Sequence, residues 1–123
     1  MRSLGFARLW LALPLLAGAP ASGFSQQVDQ YRLVMPPARY TSGPYLYPVK
    51  IHRLPNGRML SVCVNVIPTK GGYAAPELGC SKVGPVNCDI YLPQKRTIPK
   101  LLADHIVQHE LAHCRGWPGN HPD

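Results

Sequence analysis

The sequence predicts an α+β fold in which a short antiparallel β-sheet packs on a C-terminal helix and two disulfides crosslink the domain. Three observations predict it. Apolar residues alternate in the middle of the chain, apolar residues recur with a helical period near its end, and four cysteines lie in its second half. The chain has 123 residues, which is enough for one such domain.

Residues 1–25 are predicted to form a secretory signal peptide. Arg2 and Arg8 precede an apolar run from Leu9 to Ala19, and small residues follow the run. The run is shorter than the roughly 20 residues that span a bilayer, so a cleaved signal is favoured over a membrane anchor. The mature protein is therefore expected to be exported, either to the periplasm or out of the cell.

The charge balance is basic, with 13 Lys and Arg against 6 Asp and Glu, and a net charge of +7. Arg2 and Arg8 lie in the predicted signal, so the mature chain keeps a charge of about +5. This charge favours a weak association with an anionic envelope surface. Because the basic residues form no run and are not interleaved with aromatic residues, no nucleic-acid partner is expected.

Residues 26–48 are rich in proline and tyrosine and show little periodicity, which predicts an extended arm laid over the core. The domain itself is assigned to residues 49–123. Val49 to Leu54 and Arg58 to Ile67 flank Pro55-Asn56-Gly57, and this arrangement predicts a β-hairpin because Asn-Gly favours tight hairpin turns. The residues from Pro68 to Asn87 are predicted to be a long loop, and Cys88 to Leu92 a short strand.

The four cysteines are Cys63, Cys80, Cys88 and Cys114. In a small exported domain an even number of cysteines predicts two disulfides, and three pairings are possible. Cys80 and Cys88 could close a small loop, which would leave Cys63 to pair with Cys114. The spacings do not resemble those of a C-x-x-C pair, so a thiolate metal site is the less favoured interpretation.

The last predicted element is a helix that is capped by Thr97, carries Pro99 in its first turn and runs to Arg115 before Gly116. At 100° per residue, one face carries apolar and histidine side chains and the opposite face is also apolar. Both faces are therefore expected to be covered. The first face comprises Ile98, Leu102, Ile106, His109 and His113, and the second comprises Ala103, Val107, Leu111 and Cys114.

This helix contains the sequence His109-Glu110-Leu111-Ala112-His113, an H-E-x-x-H motif. Residues four apart stand one turn apart on the same helix face, so His109 and His113 can offer imidazole nitrogens to one metal ion. Glu110 lies about 60° around the helix from His113, where it can reach a water at the metal without binding the metal. Two ligands and a base are the minimum for metal-assisted hydrolysis.

The motif resembles the active-site helix of the zincin metallopeptidases. His109 and His113 match the two helical zinc ligands, Glu110 matches the general base, and Gly116 matches the glycine that ends the helix in the metzincin pattern H-E-x-x-H-x-x-G-x-x-H. His121 follows eight residues after His113 rather than six, so the intervening turn must absorb two extra residues. No methionine follows the helix, and the Met-turn of the metzincins is therefore absent.

The resemblance implies a zincin-like domain in which Cys88–Leu92 is the edge strand along the substrate cleft. It implies Zn²⁺ held by His109, His113 and His121, with water at the fourth position and Glu110 as the general base. The implied function is that of an exported zinc metallopeptidase, whose partner is a peptide or protein substrate.

Two other side chains are alternatives to His121 as third ligand. His105 precedes His109 by one turn on the same face, although this position is more typical of a histidine packed at the edge of the core. Asp123 could bind the metal or orient His121. The alternative function is a non-catalytic, zinc-stapled accessory or binding module of a cell-envelope assembly. Four protein ligands would favour that module, whereas three ligands and a water favour the enzyme.

Overall fold

A computed structural model describes residues 33–66 and 77–122 of the chain. After a short 3₁₀ helix at Ala38–Tyr40, the elements are strand β1 (Val49–Leu54), helix α1 (Asn56–Val66), strand β2 (Cys80–Val83), strand β3 (Cys88–Pro93) and helix α2 (Lys100–Cys114). The predicted α+β class is confirmed. The predicted signal peptide at residues 1–25 lies outside the described residues.

The three strands form one mixed sheet in the order β1-β3-β2. Strand β3 is parallel to β1, with Ile51 opposite Ile90, and antiparallel to β2, with Ser81 opposite Ile90. The prediction of a purely antiparallel sheet is therefore wrong. The prediction that Cys88–Leu92 is an edge strand is also wrong, because β3 is paired on both sides. Among the described strands, β1 and β2 are the edges.

Helix α1 replaces the second strand of the predicted hairpin. Its residues alternate in hydrophobicity, which favours a strand, but Met59 and Cys63 stand one helical turn apart and are both buried. Asn56 begins the helix instead of forming a tight turn. Its side-chain amide donates to the Lys95 carbonyl oxygen at 2.7 Å and its side-chain oxygen accepts from the Lys95 amide at 3.0 Å. The hairpin prediction fails because tertiary packing outweighs local β-propensity.

The sheet is covered on both faces. Alternate residues of β3 point to opposite faces, so Ile90 and Leu92 pack against α2 while Tyr91 packs against the cluster of Met59, Cys63 and Cys80. The core facing α2 consists of Leu78, Cys88, Ile90, Leu92, Leu102, Ile106 and Cys114. The sheet is thus the middle layer between the two helices.

Two disulfides are present, as predicted, but their pairing differs from the one favoured by the sequence. Cys63 is bonded to Cys80 and Cys88 is bonded to Cys114. The expected pairing assumed that Cys63 lies in a strand and that Cys80 and Cys88 close a loop. In the structure Cys80 faces α1 and Cys88 faces α2, so each bond ties a different helix to the sheet. Two disulfides are compatible with an oxidising, exported environment.

Helix α2 begins one residue after Pro99, and Thr97 does not cap it as the sequence predicted. Its C-terminal end has the bonds of a Schellman motif: the amide of Gly116 donates to the carbonyl of His113, and the amide of Trp117 donates to that of Ala112. Gly116 has a φ of +99°, a conformation that costs glycine little. The motif turns the chain back over the end of the helix.

The described part of the predicted arm, residues 33–48, lies against this same end of α2. The Leu46 amide donates to the Cys114 carbonyl oxygen at 2.8 Å, and the Arg115 guanidinium lies over the ring of Tyr45 at 4.4 Å. The arm therefore contacts the segment that carries the histidines. No helix in the described part of the chain is long and apolar enough to cross a membrane.

Candidate metal centre

Three histidines gather at the C-terminal end of α2. His109 and His113 come from consecutive turns of the helix, and His121 comes from the chain that folds back after it. The Nε2 atoms of His109 and His113 are 3.3 Å apart, and those of His113 and His121 are 3.2 Å apart. One ligand atom from each of the three side chains lies within 4.8 Å of the others. The three rings are therefore close enough to bind one metal ion.

The opposite ring nitrogens of the two helical histidines are held by backbone carbonyls. His109 Nδ1 lies 2.6 Å from the Val34 carbonyl oxygen, and His113 Nδ1 lies 2.8 Å from that of Trp117. A carbonyl only accepts, so each Nδ1 must carry the proton and each Nε2 must present a lone pair. Metal-binding histidines are commonly oriented in this way.

The indole ring of Trp117 packs against the rings of the three histidines. Its indole ring stacks on the His113 ring, with ring centroids 5.1 Å apart and an angle of 13° between the planes, and it meets the His109 ring edge to face. The indole Nε1 donates to the Pro122 carbonyl oxygen at 2.9 Å, next to His121. Trp117 is buried, as a packing anchor for the turn would be. It contacts or neighbours all three histidines.

His121 reaches the cluster because the turn after Gly116 accommodates the two extra residues of this sequence. The His121 amide donates to the Pro118 carbonyl oxygen at 3.0 Å, which closes the turn. His121 itself has a φ of +52°, in the left-handed region where residues other than glycine are uncommon. Such a conformation costs of order 1 kcal/mol and persists when surrounding contacts fix it.

Glu110 is buried between α2 and the sheet, with 3% of its surface exposed. Its Oε2 accepts a hydrogen bond from the Ser81 hydroxyl at 2.6 Å. Burial raises the pKa of Glu110 to about 7, and the Ser81 hydrogen bond opposes this rise because it stabilises the carboxylate. The carboxyl group is not one of the clustered metal-ligand candidates among the described residues. It follows His109 directly on the helix.

No protein-family model, curated protein or solved structure matches this chain.

Neither of the two alternative third ligands is part of the cluster that the structure describes. His105 is not among the three clustered histidines, and Asp123 lies outside the described residues. His52 is on β1, where its Nε2 lies 2.7 Å from Asp89 Oδ1. Tyr91 packs on the α1 side of the sheet, whereas Ser81 and the helix with the histidines lie on the other side.

Two residues that form hydrogen bonds in the site could not be predicted from the sequence. Val34 contributes only its backbone carbonyl, and any residue could supply that group. Ser81 lies in a segment that the sequence assigned to a loop, whereas the structure forms strand β2 there. Only a correct strand register identifies Ser81 as the residue that faces Glu110.

We expect Ser81→Ala to destabilise the metal-free protein, and to do so more at pH 8 than at pH 5. The hydroxyl stabilises the buried carboxylate, which is the dominant form above the Glu110 pKa of about 7. A lost hydrogen bond to a charged group costs about 2 kcal/mol, and one to a neutral group about 1 kcal/mol. Urea denaturation at the two pH values measures the difference.

The matched control for this change is Ser61→Ala, because the exposed Ser61 hydroxyl donates to a backbone carbonyl of its own helix. We expect a loss below about 0.5 kcal/mol at both pH values. Equal losses for Ser81→Ala at pH 5 and pH 8 would show that its hydroxyl does not stabilise the charged form of Glu110.

Metal binding at this centre is expected to resist acid. Burial lowers the pKa of His109 to about 3 and that of His121 to about 4, and it also lowers the pKa of His113. The imidazoles of His109 and His121 therefore remain neutral at pH 5.5, where protons compete with metal for exposed imidazoles, and burial also disfavours protonation of His113. Glu110, whose pKa is about 7, gains a proton over this range, and the site then loses a nearby negative charge. We therefore expect zinc affinity to fall from pH 7 to 5.5, but by less than about tenfold. Three exposed imidazoles would lose about 10³-fold. Competition titration with a chromogenic chelator measures this.

Proposed function

We propose that this protein is an exported zinc-dependent metallopeptidase. The observation that supports the proposal best is the combination of three converging imidazoles with a buried carboxyl group that is not part of the ligand set. Three protein ligands leave a position open, as catalytic zinc sites do, whereas structural sites are usually closed by four. In the described part of the chain, no fourth metal-binding side chain joins the cluster.

Two of the three separations between the ring nitrogens suit zinc. Tetrahedral zinc bound at about 2.0 to 2.1 Å requires its nitrogen ligands to stand about 3.3 to 3.4 Å from one another. The Nε2 atoms of His109 and His113 are 3.3 Å apart, and those of His113 and His121 are 3.2 Å apart. Imidazole is also a poor ligand for the hard cations Mg²⁺ and Ca²⁺, which prefer oxygen. The donor set therefore favours zinc or another borderline metal.

Glu110 is assigned the proton transfers. A bound zinc ion supplies Lewis-acid chemistry, in that it polarises a carbonyl group and acidifies water. Glu110 accepts the proton of the attacking water and then delivers it to the leaving amine. Its neighbour Ser81 fixes the carboxyl group by the hydrogen bond to Oε2, so that the base does not have to be ordered during the reaction.

Strand β2 is the element assigned to bind the substrate. Among the described strands it has a paired neighbour on one side only, so its outer edge carries backbone groups that an extended peptide can pair with. Ser81 of this strand contacts Glu110 directly. A peptide paired with the edge of β2 would therefore run beside the general base. This assignment replaces Cys88–Leu92, which is the central strand.

Removal and restoration of the metal tests the proposal. We expect the chelated protein to cleave no member of a quenched fluorescent peptide library and one zinc ion per chain to restore cleavage, whereas Mg²⁺ and Ca²⁺ do not. Zinc content is measured in parallel. If the zinc-loaded protein cleaves no peptide and X-ray analysis finds four protein ligands around the ion, the zinc-stapled accessory module is the correct function.

A further inference from the structure

A cavity lies on the face of α2 opposite the histidines. It has a volume of about 210 Å³ and lies between the first turns of α2, the chain after β3 and the ends of β1 and β3. Val107 is the lining residue nearest to the histidines along the helix; it precedes His109 by two residues but lies about 160° from it around the helix axis. None of the three clustered histidines lines the cavity. It is therefore separate from the candidate metal centre.

The cavity has an apolar floor. Leu92 and Leu78 belong to the main core, and Ile98 and Val107 pack against that core. Pockets for drug-sized ligands have volumes of about 300 to 1,000 Å³, so this smaller cavity suits a small molecule. Its floor would cover an apolar group and exclude water from it.

The rim carries an excess of positive charge. The lining residues include Arg53, Arg96 and Lys100, against one acid, Asp104. Lys100 and Asp104 form an ion pair with each other. Arg53 donates to the Pro93 carbonyl oxygen at 3.3 Å, and this acceptor is uncharged. Two guanidinium charges therefore remain without a compensating acid among the residues that line the cavity.

The location also favours a ligand. Strands β1 and β3 are parallel, so their carboxyl ends, at Leu54 and Pro93, open at the same edge of the sheet. In open α/β sheets, ligands bind in a crevice outside the carboxyl ends of the parallel strands, and this cavity has the corresponding position at the one parallel pair of the described sheet. Arg53 is the penultimate residue of β1, and Arg96 follows the end of β3. The two guanidinium groups thus come from different elements at the same edge.

We propose that this cavity binds a small organic carboxylate, with its apolar body on the floor formed by Leu92, Ile98 and Val107 and its carboxylate at Arg53 and Arg96. Guanidinium groups suit carboxylates because they can donate two parallel hydrogen bonds to them. An inorganic anion would leave the apolar floor unused, and an uncharged hydrocarbon would leave the two guanidinium groups unused. The occupant therefore carries both features in one molecule.

Octanoate is the probe that tests this site. The mature protein is used with its disulfides intact and its metal removed, because a carboxylate could also bind a zinc ion. We expect saturable calorimetric binding of octanoate, at least about tenfold tighter than binding of octan-1-ol or acetate. The double variant Arg53→Gln/Arg96→Gln should weaken octanoate about tenfold. Ala103→Phe, which fills the cavity, should abolish binding.

The matched control is Lys95→Gln, which removes an exposed cation next to Arg96 that does not line the cavity. It should change octanoate affinity less than about twofold. Far-ultraviolet circular dichroism and zinc uptake verify that each variant folds. Equal affinities for octanoate and octan-1-ol, equal effects of Lys95→Gln and the double variant, or no binding at millimolar octanoate would each overturn the proposal. Since the metal is absent throughout, failure here leaves the peptidase proposal intact.

Discussion

Replacement of Glu110 by Gln is expected to lower the rate of peptide hydrolysis by about 10²- to 10⁴-fold without loss of zinc. Gln keeps the size of the side chain and an oxygen that can accept the Ser81 hydrogen bond, but it has no basicity. A neutral amide is also easier to bury than a carboxylate, so thermal stability should equal or exceed that of the wild type. The measurements are steady-state cleavage of a peptide substrate, zinc content and a thermal melt.

Glu77→Gln is the matched control for this experiment, because Glu77 is an exposed acid outside the candidate centre. It should leave the rate within about twofold of wild type. Cleavage by a contaminating protease would proceed at the same rate in both variants as in the wild type. If Glu110→Gln and wild type cleave at the same rate, Glu110 is not the base and the peptidase proposal loses its mechanism.

Loss of His113 is expected to abolish stoichiometric zinc binding. His113 is the histidine whose Nε2 lies within 3.3 Å of both other imidazole nitrogens, so its removal breaks the cluster at its centre. A partner that only orients a metal ligand is worth about 10- to 100-fold in affinity, and loss of the ligand itself should cost more than the upper value. Zinc content after dialysis of His113→Ala and of the near-isosteric His113→Gln measures this.

His105→Ala serves as the control, since His105 is on the same helix but outside the cluster. It should keep one zinc ion per chain. A full complement of zinc in both His113 variants would show that the metal is bound elsewhere, and His109 and His121 would then lose their assignment as ligands.

The helix that carries the site was predictable from the sequence because several local signals agree there. Its apolar period, Gly116 and the spacing of His109 and His113 all indicate one helix, and the observed helix ends within one residue of the predicted Arg115. Its start was less predictable. Thr97 is a good capping residue by type, yet Pro99 is the residue at which the chain enters the helix, without a side-chain cap.

Helix α1 was not predictable in the same way because its local signals conflict. The residues from Arg58 to Val66 alternate in hydrophobicity, and they follow Asn-Gly, the strongest local signal for a hairpin. The same segment also places Met59 and Cys63 one helical turn apart. The segment therefore fits both a strand and a helix. The disulfide from Cys63 to Cys80 and the hydrogen bond from Asn56 to Lys95 are consistent with the helix, and both are interactions between residues far apart in the sequence.

The grouping of the three histidines depended on local and long-range features together. Helical spacing alone is enough to bring His109 and His113 together. The position of His121 depends on the turn after Gly116 and on a left-handed backbone conformation at His121 itself. The carbonyl that orients His109 comes from Val34, 75 residues earlier in the chain, and no sequence pattern marks it.

The crosslink between Cys88 and Cys114 has a consequence for the choice of metal. It fixes the end of the histidine helix to the central strand, one residue after His113, so the backbone that carries His113 is anchored to the sheet without a metal ion. Copper binds most nitrogen sites more tightly than zinc does, but Cu²⁺ prefers a square-planar arrangement. An anchored helix resists the movement of His109 and His113 that a square-planar site would need. In the proposed metal site the crosslink would therefore favour a tetrahedral ion over Cu²⁺.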